Sequence, residues 1–200
     1  MTWKEDVALL EQEGNFDIAV FLLEKVIEDN PDEMDAYIFL LYRFMDSSLD
    51  NTCYWANSND PLRKIKEAYC EEKIWHGYAV QAQKCFDESY AKFSENPAYL
   101  YYASKILRPF YWFLGLKIED TLLENMLNKA KSLGYNAILE QNYPNHMTND
   151  SDTIAWAKRI MNDPSLKEQL ATKGAAAQYV IGEDFYWARR ILDEEKKQIQ

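Results

Sequence analysis

The first 45 residues restrict the fold more than any other stretch, because three apolar-periodic segments are cut there by turn signals at regular intervals. Thr2 and Glu5 have capping-box spacing, in which the hydroxyl and the carboxylate each take a backbone N–H that the first turn leaves without a partner. A helix from Trp3 to Glu13 follows, with Trp3, Val7 and Leu10 on one stripe, and Gly14 ends it. A second helix restarts at Asn15 and carries Phe16, Ala19, Val20, Leu23, Val26 and Ile27 at helical spacing. Asn30-Pro31 is a hinge in which Asn30 caps and Pro31 opens a third helix through Tyr37, Leu40, Leu41 and Phe44. Trp3 and Tyr37 are 34 residues apart, as are Leu10 and Phe44. That interval belongs to a helical hairpin stacked on its own copy.

The rest of the chain varies the theme. Asp60-Pro61, Asn96-Pro97 and Asp163-Pro164 repeat the cap-plus-proline restart. Residues 46–60 and 142–152 are polar loops, the first carrying Tyr54-Trp55, with Trp55 placed to plug the end of a stack. Apolar residues from Leu62 to Phe93 keep helical spacing, with Gly77 dividing them. Further helices are predicted over Ala98–Leu107, Thr121–Leu133 closed by Gly134, Thr153–Met161, and Leu166–Ile181 with Gly174 inside it. Gly182, Phe185, Ala188 and Leu192 nearly repeat the spacing of Gly14, Phe16, Ala19 and Leu23, which suggests a last degenerate hairpin, and Glu194–Gln200 reads as a fraying tail. No segment alternates β-branched residues between turns, so no sheet is predicted. The expectation is one all-α domain over residues 1–200, of about eight to ten helices, with an N-terminal region 1–46, central helices 61–141 and C-terminal helices 152–200.

Charge is distributed unevenly. Residues 1–50 hold 13 acids against Lys4, Lys25 and Arg43, a net of −10, leaving 20 acids against 19 bases in the remainder. Such a field repels nucleic acid and speeds encounter with basic partners. The basic clusters Arg63-Lys64-Lys66, Arg189-Arg190 and Lys196-Lys197 each lie among acids and form no nucleic-acid footprint. Tyr99–Leu116 is the closest approach to a membrane span, and Lys105, Arg108 and Pro109 interrupt it. No signal peptide is visible, and three cysteines in no metal or disulfide spacing fit a reducing cytoplasm.

Catalytic and metal patterns are missing. His76 and His146 stand in no ligand spacing, and Asn149, Asp150 and Asp152 lack the glycine and distal Glu of a calcium loop. No nucleophile elbow or phosphate-cradling loop occurs. The chain is therefore read as a non-enzyme without cofactor or metal.

The N-terminal pattern resembles the tetratricopeptide repeat family, through Trp3, Gly14, Phe16, Ala19 and Pro31, with Tyr37 opening a second unit. Leu23 fits that family, Val26 replaces its Ala, and Val7 and Leu41 replace its small residue, which would spread the paired helices. Ser47-Ser48-Leu49-Asp50 stands where its Gly and aromatic would be, so the resemblance covers about the first 45 residues. It implies a short right-handed solenoid of antiparallel hairpins, irregular in the middle. It also implies a concave groove, whose lining maps to Lys4, Ala8, Glu11 and Gln12 and then to Ile38, Tyr42, Met45 and Asp46. Ala8 and Tyr42 replace the Asn residues with which members clasp a terminal carboxylate, so a basic or amphipathic segment is the expected ligand. The candidate partner-binding set is Lys4, Glu11, Gln12, Asp35, Ile38, Tyr42, Met45, Asp46 and Trp55. A bacterial immunity protein neutralising a basic toxin or effector fits these features, and so does a secretion chaperone. The competing class is a helical enzyme or small-ligand receptor with a pocket walled by Tyr99, Tyr102, Phe110, Tyr111 and Trp112.

Overall fold

Local signals set the helix ends. In the computed structural model, which describes residues 2–50, 77–109, 111–112, 115–135 and 151–199, Thr2 caps the first helix as its spacing requires. The Thr2 N–H donates to Glu5 at 2.7 Å and the Glu5 N–H to the Thr2 hydroxyl at 3.4 Å. Every regular element among the described residues is a helix: α1 (Trp3–Gln12), α2 (Phe16–Asp29), α3 (Met34–Asp50), α4 (Tyr78–Phe93), α5 (Pro97–Leu107), α6 (Asp120–Ser132), α7 (Ser151–Asn162) and α8 (Pro164–Ile199). None of these is long and apolar enough to cross a membrane. Trp55, the Asp60-Pro61 restart, His76, Phe110 and residues 142–150 lie outside the described residues.

The α1–α2 turn depends on Gly14 at φ 75°, a conformation a Cβ would strain. It lets the Asn15 N–H reach back to the Leu10 carbonyl at 2.8 Å, satisfying a carbonyl the helix end exposes. Asn96 and Asp163 cap α5 and α8 as anticipated, each accepting two backbone N–H groups at the start of its helix.

Asn30-Pro31 differs. Pro31 ends α2 rather than opening α3, which starts at Met34 after a turn in which the Glu33 N–H bonds to the Asn30 carbonyl at 3.0 Å. At its other end α3 runs through Asp50, so residues 46–50 are helix, not loop. Packing supplies the reason, because α3 has neighbours all round: it packs on α2, α4 and α5, while α1 packs on α2 and α5 on α6. All ten residues from Ala36 to Met45 are buried, the pattern of a helix enclosed on every side rather than a surface helix with one apolar stripe. At about 1.5–3 kcal/mol per large apolar side chain, this helix contributes more buried apolar residues than any other among the described residues of its unit.

The described residues fall into two compact units, Met1–Tyr135 and Asn136–Gln200. In the second, α7 packs on α8, and the buried side chains include Trp156, Ala157 and Ile160 of α7 and Ala176, Ala177, Ile181 and Ala188 of α8. The glycine assignments exchange roles here. Gly174, expected inside a helix, breaks α8 with φ 50° and ψ −133°, whereas Gly182, expected at a hairpin turn, is buried in continuous helix. The tail expected to fray stays helical through Ile199, supported by Lys196–Asp193 and Lys197–Glu194 pairs.

Candidate functional site

The anticipated groove lining divides into core and ion pairs. Ile38 and Met45 are 0% exposed and Tyr42 is 9% exposed, so these three are core residues rather than groove wall. α3 packs on α2, α4 and α5, and the residues of it that line an open cleft are others, Tyr37, Leu40 and Phe44. Of the charged members, Lys4 pairs with Asp35 at 2.5 Å, and Glu11 and Asp46 both pair with Arg43, Glu11 at 3.3 Å. Gln12 is exposed.

Arg43 organises this face. Its side chain is 4% exposed, its guanidinium lies 4.5 Å from the centre of the Phe16 ring, and it joins α3 to α1 through Glu11 while pairing with Asp46 one turn on in its own helix. Burial pushes the Tyr42 phenol well above its ordinary value, and Asp46 and Glu11 push the same way against Arg43. Tyr42 therefore stays protonated and bonds to Asp46. Acids counted from the sequence as a field for a partner are here held by the protein's own cations.

A cleft opens elsewhere, between α2 and α4 over α3, with a volume of about 350 Å³. Tyr37, Leu40, Phe44 and Cys85 form its floor. Glu24, Ile27 and Glu28 line the α2 side, and Gln81, Lys84 and Glu88 the α4 side. Lys92, one turn beyond Glu88, donates to the Pro31 carbonyl at 2.8 Å and the Tyr37 hydroxyl at 3.0 Å, tying α4 to the α2–α3 turn. The rim carries three carboxylates against one cation. Lys84 lies 3.8 Å from Glu88, and Lys25, on the outer side of α2, bonds to Glu28 at 2.5 Å and holds that carboxyl below its usual range. Burial pushes the Cys85 thiol far up, so it is protonated and a poor nucleophile. Its S–H points at the Tyr37 carbonyl.

Apolar floor and carboxylate rim suit a ligand with an apolar face and flanking cations. Among the described residues no three His, Cys, Asp or Glu side chains converge as metal ligands. In the alternative aromatic pocket, Tyr99 and Tyr102 are fully buried, Tyr99 bonding to Ser89 at 2.7 Å, while Trp112 is 65% exposed and donates to the Pro109 carbonyl.

None of the cleft residues was in the candidate set read from the sequence. One signal was there: Glu24 and Glu28 are like charges four residues apart, an arrangement unfavourable in an isolated helix. Their pairing with α4 across some sixty residues was not legible. Compared with known protein families, characterised proteins and solved structures, the chain matches none of them.

Proposed function

We propose that the protein is a non-enzymatic, cytoplasmic protein-binding scaffold of tetratricopeptide-like helical hairpins, which holds a basic or amphipathic segment of another protein in the α2–α4 cleft. The carrying observation is that cleft, with an aromatic and aliphatic floor beneath Glu24, Glu28 and Glu88. The hairpin reading is supported by an offset that stays nearly constant between α1 and α3. Lys4–Asp35 and Glu11–Arg43 join α1 to α3 across 31 and 32 residues. Nearly equal offsets at two points are what α1 and α3 running parallel in successive hairpins would give. Two further contacts span 34 residues, Gln83 of α4 with Lys117 just before α6 and Glu95 just after α4 with Lys129 of α6. The concentration of negative charge in residues 1–50 favours a cationic partner, and an immunity protein masking a basic toxin is the specific case that fits best.

Native purification at low ionic strength, with identification of the bound polypeptide, tests this. The partner should be basic, its affinity should fall as salt rises, and a Glu24→Gln/Glu28→Gln/Glu88→Gln variant should associate about tenfold more slowly. A partner indifferent to both salt and these substitutions overturns the reading.

A further inference from the structure

We infer that the outward ridge of α2 extends the cleft into a seat for a basic amphipathic helix, with Ile18 and Phe21 as its apolar anchors. The inference rests on the cleft reading and specifies the form of its ligand. Ile18 and Phe21 are 54% and 59% exposed, although the other α2 residues of their size are buried or half-buried. They are one turn apart on a helix, so they make a single ridge. Asp17, Phe21, Glu24 and Glu28 recur at intervals of four, three and four residues and are all exposed, forming one straight stripe about 16 Å long. The stripe reads acid, aromatic, acid, acid, with Ile18 beside the aromatic and Glu24 and Glu28 continuing into the cleft wall.

Charge and backbone chemistry together choose the occupant. An apolar pair between carboxylates is complementary to an apolar patch flanked by Lys or Arg. The backbone N–H and C=O groups inside α2 are already bonded within the helix, so the surface offers no ladder to an extended segment. Such a segment would lose water from its own backbone with nothing to replace it, whereas a helix arrives with those bonds made. A helix of about three turns matches the stripe, its i and i+3 or i+4 apolar residues straddling the Phe21 ridge.

The test uses two synthetic peptides of about fifteen residues with identical Leu, Lys and Ala content, one with Leu at helical spacing and the other at strand alternation. The helical-period peptide should bind at least tenfold more tightly. Ile18→Ser/Phe21→Ser should weaken it about tenfold, while Val80→Ser, at a more exposed apolar residue on α4, should leave it unchanged. Equal binding of the two peptides, or indifference to Ile18→Ser/Phe21→Ser while Glu24→Gln/Glu28→Gln still weakens binding, overturns the helical seat and leaves the cleft standing. Indifference to both sets of substitutions overturns the cleft as well. Circular dichroism of each variant verifies the fold, which these exposed positions do not support.

Discussion

Two acidic faces of the N-terminal unit look alike in sequence and differ in use. On the α1–α3 face, Glu11, Asp35 and Asp46 are met by Arg43 and Lys4, and the charge is spent inside the protein. On the α2–α4 face, Glu24, Glu28 and Glu88 rim an open cleft, and the cations paired with Glu28 and Glu88, Lys25 and Lys84, are surface side chains 50% and 76% exposed. An exposed pair holds its carboxylate weakly and can be displaced by an incoming cation, whereas a buried guanidinium cannot leave without stranding its partners. Negative charge read from sequence therefore counts toward binding only after the internal cations have been assigned.

The largest expected effect comes from breaking the first face. Arg43→Ala leaves Glu11 and Asp46 without their cation and opens space beside Phe16, and should destabilise the protein by about 3–5 kcal/mol in denaturant unfolding. Unchanged stability would show that this face is no more structural than the cleft.

Alkaline titration sharpens the same contrast. Burial is the leading cause that raises the phenols of Tyr42, Tyr99, Tyr102 and Tyr135 above their ordinary value of 10.0, and the Cys85 thiol above 9.0. The folded state therefore binds these protons more tightly than the unfolded chain. Their contribution is fully present below pH 9 and is lost as pH rises through 9 to 10 and beyond, where only the unfolded chain deprotonates. Phenolate absorbance from these tyrosines should appear together with loss of helical circular dichroism; titration well before unfolding would contradict their burial.

Arg43→Lys should fall between the extremes, at about 1–2 kcal/mol, since a point charge cannot serve two carboxylates and stack on Phe16 together. The smallest stability effect belongs to Glu24→Gln/Glu28→Gln. Its unfolding midpoint should match the parent protein, because these carboxylates are exposed, while its capture of cationic peptide weakens. A shifted midpoint would mean that the cleft rim is structural after all.

Much of the fold was readable in advance where the cause is local. The Thr2–Glu5 box, the Gly14 and Gly134 turns, and the Asn96-Pro97 and Asp163-Pro164 starts each depend on groups within a few residues, and each stands where the spacing placed it. Gly174 and Gly182 exchange roles because helical periodicity runs through both and does not distinguish which one bends. The groove assignment of Ile38, Tyr42 and Met45 came from repeat geometry, in which one face of that helix is open. In this chain α4 and α5 close it.

By itself the sequence determined an all-helical chain with its stops and caps, because those follow from backbone hydrogen bonding and the spacing of apolar residues over one or two turns. Asp46 is one turn from Arg43 on the same helix, but only the tertiary structure decided that Arg43 also takes Glu11 and which acids stay on the cleft rim. That choice rests on contacts between residues 32 to more than 60 positions apart, such as Glu11 with Arg43 and Lys92 with the Pro31 carbonyl, and no local pattern encodes them.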